Sequence, residues 1–138
     1  MIHLLPLGPG SELPAWIEDL DREAFGQTWG PLADHERIWV VESQAYARWS
    51  VIPTAWEAEL LRIAVAPSSR RTGLARELLH GCETALHTCG IRALRLEVRV
   101  SNDAARSLYD SEGWRMEGLR PHYYRDGEDA ALYGKDLG

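Results

Sequence analysis

The segment best suited to bind an anion is Arg70-Arg71-Thr72-Gly73-Leu74-Ala75-Arg76. It follows an apolar, β-branched run at 60–66 that indicates a buried strand, and a helical pattern begins at Gly73. The first turn of a helix has free N–H groups and a partial positive charge, and Gly73 has no Cβ to keep a ligand away from the backbone. The segment therefore predicts a phosphate-binding loop, although it has neither the P-loop spacing nor that of a dinucleotide fingerprint. The alternative is an ordinary basic turn between a strand and a helix.

Glu97 and Tyr109 are candidates for acid–base chemistry in the second half of the chain. Glu97 stands in an alternating strand, where a partly buried carboxylate could accept a proton. The pattern alone favours the plainer alternative, in which Glu97 belongs to a solvated ladder with Arg95 and Arg99. Tyr109 lies two turns into a predicted helix that Asn102 can cap, and a phenol can donate a proton without being ionised itself. The alternative for Tyr109 is a tyrosine of the core.

The hydrophobic periodicity predicts a strand, a helix and a second strand around these residues. The helix runs over 73–89, and the strand that follows, 93–100, alternates apolar and charged residues. A unit of this kind is right-handed and has its two strands parallel. The other predicted elements are an edge strand at 2–6, a helix at 12–25 capped by Ser11, a short helix at 32–36, strands at 38–42, Ala45–Ile52 and 56–65, a helix at Asp103–Ser111, and a hairpin of 114–120 with 130–137.

Composition and charge restrict the class of protein. Of the 138 residues, 45% are hydrophobic and 26% charged, so we expect residues 1–138 to form one soluble globular domain. The net charge of −6 disfavours direct binding to nucleic acid and suits a cationic substrate. We expect no membrane span, no signal peptide and no metal site, and a cytoplasmic location. Cys82 and Cys89 would lie about 10 Å apart along one helix, too far to bridge, and are expected to be reduced core thiols.

The loop at 70–75 resembles the pyrophosphate loop of the GNAT acetyltransferases, Gln/Arg-x-x-Gly-x-Gly/Ala, with Arg70, Gly73 and Ala75 at the patterned positions. A second signature of that family is similar to Val98-Arg99-Val100-Ser101-Asn102 followed by Leu108-Tyr109-Asp110-Ser111-Glu112-Gly113-Trp114. With Pro121-His122-Tyr123-Tyr124 and Gly127-Glu128-Asp129-Ala130, the similarity narrows to the RimI branch, the bacterial ribosomal-protein N-terminal alanine acetyltransferases. The resemblance covers about 58–137, more than half of the chain.

The resemblance implies the α/β GNAT fold, a mixed and mostly antiparallel sheet with a central splayed parallel pair and helices on both faces. It implies direct transfer of acetyl from acetyl-CoA to a protein N-terminal amine in a ternary complex, without a metal. The expected acceptor is the N-terminal alanine of a ribosomal protein. Two alternatives remain: a GNAT enzyme that acetylates a small amine or a lysine side chain, and a non-catalytic GNAT module that binds acyl-CoA.

The resemblance also assigns the catalytic roles. It makes Glu97 the base that takes the ammonium proton and Tyr109 the acid that protonates the coenzyme A thiolate. Glu59 is the rival base, since it lies eleven residues before Arg70, where histone-type GNAT enzymes keep theirs.

The implied binding residues fall into two groups. The cofactor group comprises the backbone N–H groups of Ile63, Ala64 and Val65 at the acetyl carbonyl, the pyrophosphate loop of Arg70, Arg71, Thr72, Gly73, Leu74, Ala75 and Arg76, and Asn102. Tyr123 and Tyr124 would clamp the backbone of the substrate N-terminus, or alternatively pack on the sheet as hairpin aromatics. Phe25 and Trp29 are either a substrate wall or loop aromatics that cover the edge of the core.

Overall fold

The computed structural model describes residues 4–138, in which seven strands form one sheet and three α-helices pack against it. The strands are β1 (Leu5–Leu7), β2 (Glu36–Val41), β3 (Ala45–Ile52), β4 (Glu57–Val65), β5 (Ala93–Arg99), β6 (Arg115–Arg120) and β7 (Ala130–Asp136). The helices are α1 (Ala15–Phe25), α2 (Leu74–Thr88) and α3 (Asp103–Ser111), and two short 3₁₀ turns follow β3 and β4 at Pro53–Ala55 and Pro67–Ser69.

The sheet has the order β1-β2-β3-β4-β5-β7-β6 and a single parallel pair, β4 with β5. A strand–helix–strand unit produces this pair, because α2 carries the chain from the end of β4 back to the start of β5. Apolar residues of α1 join one core cluster, and apolar residues of α2 and α3 join the other. The predicted fold, a mixed and mostly antiparallel sheet with one parallel pair and helices on both faces, is confirmed.

The parallel pair separates halfway along its length. β4 pairs with β5 only over Glu57 to Leu60, opposite Ala93 to Leu96. Beyond that point β4 continues to Val65 against β3, whereas β5 continues to Arg99 against β7. Among the described residues, the edge of β4 that faces β5 is therefore without a partner strand over 61–65, and a gap opens between the two central strands.

A β-bulge lies where the strands separate. The register pairs Arg48 with Arg62 and Trp49 with Leu60, so Leu61 has no counterpart on β3. An extra residue reverses the faces of the positions after it. Before the bulge, Leu60 belongs to the core on the α2 side, and after it Ala64 belongs to the core on the α1 side.

Two helix predictions in the first third of the chain are wrong, the start of α1 and the whole of the short helix at 32–36. α1 begins at Ala15 and not at residue 12, because Pro14 has an extended backbone and occupies the N-cap position without a capping side chain. Ser11 instead donates its backbone N–H to the carbonyl of Gly8 in a turn. The segment 32–36 is not a helix, because Glu36 enters β2 and forms a buried ion pair with Arg48 of β3 at 2.7 Å.

The remaining predicted elements agree with the structure to within about two residues, apart from the edge strand, which is Leu5–Leu7. Residues 2 and 3 of the predicted edge strand lie outside the described residues. Cys82 is a buried free thiol as predicted, but Cys89 is exposed at the C-terminal end of α2 and is not a core residue.

The described residues contain neither a candidate membrane span nor a candidate metal site. No helix within 4–138 is both long and apolar enough to cross a membrane. The same stretch contains no group of three or more His, Cys, Asp or Glu side chains placed to hold a metal ion.

Candidate active site

A cavity of about 260 Å³ lies at the N-terminus of α2. Gly73 is the N-cap residue, with a left-handed φ of 82°, and no side chain of residues 4–138 caps the helix. The first helical bond that reaches back to it runs from the Glu77 N–H to the Gly73 carbonyl at 3.1 Å. The N–H groups of 74–76 therefore have no acceptor within the helix. Uncapped donors beside a cavity suit an anionic ligand.

All residues of the predicted pyrophosphate loop except Thr72 line this cavity. Its lining residues are Val65 of β4, Ser69, Arg70, Arg71, Gly73, Leu74, Ala75, Arg76, and Ala104 and Leu108 of α3. Thr72 is not in the lining and donates its hydroxyl to the Ser69 carbonyl at 2.6 Å, which holds the turn closed. Ile63 and Ala64 are also outside the lining. They precede Val65 by two positions and one position, respectively, on the unpartnered edge of β4.

The arginines of the loop have different partners. Arg70 donates to the Val65 carbonyl at 2.9 Å and pairs with Glu23 of α1 at 2.7 Å, so it fixes the loop to β4 and α1. Arg76 lies 3.6 Å from Glu112 and is half-exposed. Arg71 forms no salt bridge with the described residues. Arg71 and Arg76 can therefore supply positive charge to the cavity, whereas Arg70 holds the loop in position.

Tyr109 lies on α3, next to the cavity residue Leu108. It is buried against the rings of Trp114 and Tyr133, with ring centroids 5.8 and 5.9 Å away. Burial, with a smaller contribution from Tyr124, raises the pKa of Tyr109 to about 12. The phenol is therefore protonated at neutral pH and able to donate. Asn102 caps the same helix by accepting the Ala105 N–H at 3.2 Å.

Glu59 and Glu97 lie on the other face of the sheet. Their neighbours Leu60 and Leu96 point into the α2-side core, so the two carboxylates point away from it. The register pairs Glu59 with Arg95, and Glu97 is two residues further along β5. Strand geometry then puts the two glutamate Cα atoms about 8 Å apart, which leaves room between the side chains for an amine or a water molecule.

The two carboxylates have different surroundings. Glu97 is 24% exposed and lies 3.4 Å from the guanidinium of Arg120, whereas Glu59 has no salt bridge within the described part of the chain. Burial raises the pKa of Glu59, and the charge of Glu97 raises it further, against opposing effects of Arg120 and Arg95. A carboxylate with a raised pKa is the better proton acceptor near neutral pH.

Tyr123 and Tyr124 flank this carboxylate pair. Their rings meet edge to face with centroids 5.0 Å apart. Arg120 lies over Tyr123 at 5.0 Å, and Arg99 lies over Tyr124 at 4.1 Å. The predicted substrate residues and both candidate bases are thus on one face. Arg120 joins them there, although no pattern in the sequence indicates it. Only a long-range contact map would have revealed it, because β7 stands between β6 and β5.

The aromatic residues at the end of α1 cover a buried charge. Arg62 lies 3.8 Å from the ring centre of Phe25 and 4.9 Å from that of Trp29, and it pairs with the buried Asp21 at 3.4 Å. Tyr46 also donates its hydroxyl to Asp21. Phe25 and Trp29 each remain about two-fifths exposed, so they cover part of the core edge and also present a surface to solvent.

The chain is similar to known proteins in sequence and in structure. The alanine N-acetyltransferase of ribosomal protein bS18 from Escherichia coli K12 is 44% identical over 78 residues, which are 55% of this chain and 53% of that protein. The chain thus spans about half the length of the curated relatives it matches. A crystal structure of the ribosomal-protein-S18-alanine N-acetyltransferase from E. coli has a TM-score of 0.78 and 28% identity, covering 99% of this chain and 95% of that chain.

Ard1 from Thermoplasma volcanium shares the fold, with a TM-score of 0.77 over 98% of both chains at 18% identity. The family model described as acetyltransferase (GNAT) family matches residues 8–114. The resemblance of the motifs to this family and to its RimI branch is confirmed by these matches. The chain belongs to the acetyltransferase (GNAT) family.

Proposed function

We propose that this chain transfers the acetyl group of acetyl-CoA to the N-terminal amine of a protein, with the N-terminal alanine of a ribosomal protein as the expected acceptor. One observation carries the proposal: the uncapped N-terminus of α2 and the unpartnered edge of β4 meet at a single cavity. Pyrophosphate oxygens suit the first, and the amide-containing arm of acetyl-CoA suits the second, because a strand edge offers alternating donors and acceptors.

The gap between β4 and β5 links the two faces of the sheet. Tyr109 and the cavity are on the α2 side, whereas Glu59 and Glu97 are on the α1 side. A thioester that extended from the cavity into the gap would meet an amine arriving from the carboxylates. The edge of β4 over 63–65 would offer backbone N–H donors to its carbonyl oxygen, which becomes negatively charged as the amine attacks.

In the proposed reaction, one residue of the chain accepts a proton from the amine and another donates a proton to the leaving thiolate. A carboxylate, Glu97 or its neighbour Glu59, takes a proton from the ammonium group, and the neutral amine nitrogen then forms a bond with the acetyl carbon. The carbon–sulfur bond breaks, and the O–H of Tyr109 supplies a proton to the leaving thiolate. Cys82 is buried and Cys89 lies at the far end of α2 from the cavity, so we propose direct transfer without an acyl-enzyme.

The acceptor is proposed from charge and from the relatives. The carboxylate pair favours a cationic amine, and Tyr123 and Tyr124 offer flat surfaces and hydroxyls beside it. The E. coli relatives are named for transfer to the alanine of a ribosomal protein. Amines of small molecules or lysine side chains present the same cation and are the alternatives that an experiment must separate.

The test is release of coenzyme A from acetyl-CoA with a panel of acceptors. The panel contains peptides with free N-terminal Ala, Ser, Met or Gly, N-blocked lysine peptides and polyamines. We expect strong preference for the N-terminal Ala peptide. Activity only on blocked lysine peptides or polyamines would overturn the acceptor, and acetyl-CoA binding without turnover on any amine would favour the non-catalytic module.

A further inference from the structure

We infer that Arg99 is a positioning residue: it holds the connection between β6 and β7 folded around its guanidinium and thereby fixes Tyr124 beside the acceptor amine. This connection, residues 121–129, is called the acceptor loop below. The inference rests on the proposed function, in which Tyr124 contacts the acceptor. Arg99 is assigned no contact with the reacting atoms, and its effect on the reaction passes through the loop.

Three side-chain contacts join Arg99 to the acceptor loop. Its Nη1 atom donates to the carboxylate of Asp126 at 2.8 Å and to that of Glu128 at 2.9 Å. The central carbon of the guanidinium lies 4.1 Å from the ring centroid of Tyr124. All three partners belong to the loop, whereas Arg99 is the last residue of β5, so the guanidinium ties the loop to the sheet.

The backbone of the acceptor loop closes around the same point. One carboxylate oxygen of Glu128 accepts the N–H of Ser101 at 2.9 Å, and the carbonyl of Glu128 accepts the N–H of Tyr124 at 3.1 Å. The carbonyl of Tyr124 in turn accepts the N–H of Gly127 at 2.8 Å. Glu128 thus binds the end of β5 with its side chain and Tyr124 with its backbone, so the loop fixes where the tyrosine ring lies relative to β5.

The charges of this cluster are mutually stabilised. Hydrogen bonds from the Glu128 N–H and from Arg99 lower the pKa of Asp126, and hydrogen bonds from Ser101 and Arg99 lower the pKa of Glu128. Hydrogen bonds to both carboxylates raise the pKa of Arg99. All three groups are therefore ionised at neutral pH, with two negative charges against one positive charge. The cluster adds no excess positive charge that would repel a cationic acceptor.

Tyr124 connects the cluster to the candidate active site. Burial raises the pKa of Tyr124 and the charge of Glu97 raises it further, against an opposing effect of Arg99. Tyr124 in turn contributes to the raised pKa of Tyr109. Its phenol is thus close enough to the carboxylate pair and to the proposed acid for its position to matter to an amine that approaches the gap. Arg99 stands two residues after Glu97 on the same face of β5 and supports this ring from the sheet.

The first experiment needs neither acceptor nor turnover. Hydrogen exchange of backbone amides is followed by mass spectrometry in peptides that cover 121–129. We expect Arg99→Gln to speed exchange of the acceptor loop about fivefold, because the hydrogen bonds that close it lose the ion pairs and the cation–π contact. The control is Arg125→Gln, which removes the same charge from the same loop. Arg125 is exposed and makes no ion pair with the described part of the chain, so exchange should stay unchanged.

The second experiment asks whether Arg99 acts through Tyr124, by kinetics with the best acceptor. We expect Arg99→Gln to raise the KM for the amine about fivefold with kcat unchanged, because the loop binds the acceptor alike in the ground state and the transition state. The Kd for acetyl-CoA should also be unchanged. Arg99→Lys keeps the charge but not the planar group over the ring, so its KM should lie between the two. In a double-mutant cycle, Tyr124→Leu should remove most of the effect of Arg99→Gln.

The Arg99 side chain is 41% exposed, so the variants should fold like the parent, which an unchanged Tm would verify. Unchanged exchange of the acceptor loop in Arg99→Gln, a parent-like KM for the amine, or additive effects of Arg99→Gln and Tyr124→Leu would each overturn the inference. If the parent chain acetylates no amine, the proposed function fails, whereas the exchange experiment still decides whether Arg99 holds the loop.

Discussion

Gly73 gives the sharpest test of the cavity at the N-terminus of α2, because a second glycine provides a matched control. Gly73 and Gly90 have left-handed φ angles of 82° and 93°, and a Cβ added to either would meet no atom of the described part of the chain within 4 Å. They flank the two ends of α2, about 25 Å apart along the helix. The substitutions Gly73→Ala and Gly90→Ala therefore impose the same backbone penalty at opposite ends of one element.

The expected loss of stability follows from the backbone alone. A left-handed conformation costs an L-residue about 1–2 kcal/mol, and the smaller entropy of the unfolded alanine chain returns about 0.5–1 kcal/mol. The net loss is about 1 kcal/mol in each variant, because neither new methyl group meets a neighbour. For a chain of this length that lowers Tm by about 3 °C, measured by thermal unfolding without ligand.

Binding of acetyl-CoA should separate the two variants. The strain exists with and without ligand, so strain alone leaves Kd unchanged, whereas a methyl group at Gly73 keeps phosphate oxygens away from the N–H groups of 74–76. Losing one charge-assisted hydrogen bond costs about 1.5–3 kcal/mol, so Gly73→Ala should weaken Kd about tenfold or more by calorimetry. Gly90→Ala should bind like the parent chain. Parent-like binding by a Gly73→Ala variant that shows the expected Tm loss would refute the assignment of this loop to the pyrophosphate.

Three further predictions concern the acid and the buried ion pair. Tyr109→Phe should lower kcat about 100-fold with an unchanged Kd for acetyl-CoA, and an unchanged kcat would exclude the acid role. Because the pKa of Tyr109 is about 12, the rate of the parent enzyme should show no alkaline loss from this residue below about pH 11. Arg48→Met should destabilise the fold by about 3–5 kcal/mol, because it leaves Glu36 buried without its partner and removes the donor to the carbonyls of Gly30 and Pro31. The double variant Arg48→Met/Glu36→Leu should recover part of that loss, as measured by urea titration. Burial raises the pKa of Glu36, but the hydrogen bond and charge of Arg48 and the hydrogen bond from the Ala33 N–H more than offset burial, so the pKa is lowered. The contribution of Glu36 to stability is therefore present above about pH 4.5 and is lost as the pH falls through the lowered pKa. Unfolding free energies measured from pH 6 to 3 should therefore fall less steeply in Glu36→Gln than in the parent, and equal slopes would contradict this account.

The second half of the fold could be predicted because its signals are local. The periodicity of α2, the alternation in β5 and the capping by Asn102 each depend on residues within a few positions of one another. The segment 32–36, which was wrongly predicted to be a helix, depends instead on residues distant in the sequence. Its conformation is decided by Arg48, which binds the carbonyls of Gly30 and Pro31 and the carboxylate of Glu36 from a different strand.

The parts of the candidate site that follow a motif could be predicted from the sequence, whereas the contacts that depend on strand order could not. The loop at 70–76 and Tyr109 stand in recognisable patterns, and the structure brings the loop and α3 to one cavity. Arg120 is 23 positions from Glu97 and reaches it only because β7 inserts between β5 and β6. No alternation or spacing in the chain indicates that contact, nor the bulge at Leu61 that turns β4 over.

The bulge at Leu61 makes the length of β4 adjustable at one position and constrained on either side of it. Leu60 and Arg62 lie opposite Trp49 and Arg48, which are consecutive on β3, so deleting Leu61 would restore regular pairing and leave the other side chains of β4 on their present faces. Deleting Ile63 would instead exchange the faces of the residues on one side of the deletion. A deletion scan should therefore tolerate loss of Leu61 better than loss of Ile63, and the exposed tip of the β6–β7 connection at 125–127 should accept insertions without loss of the fold.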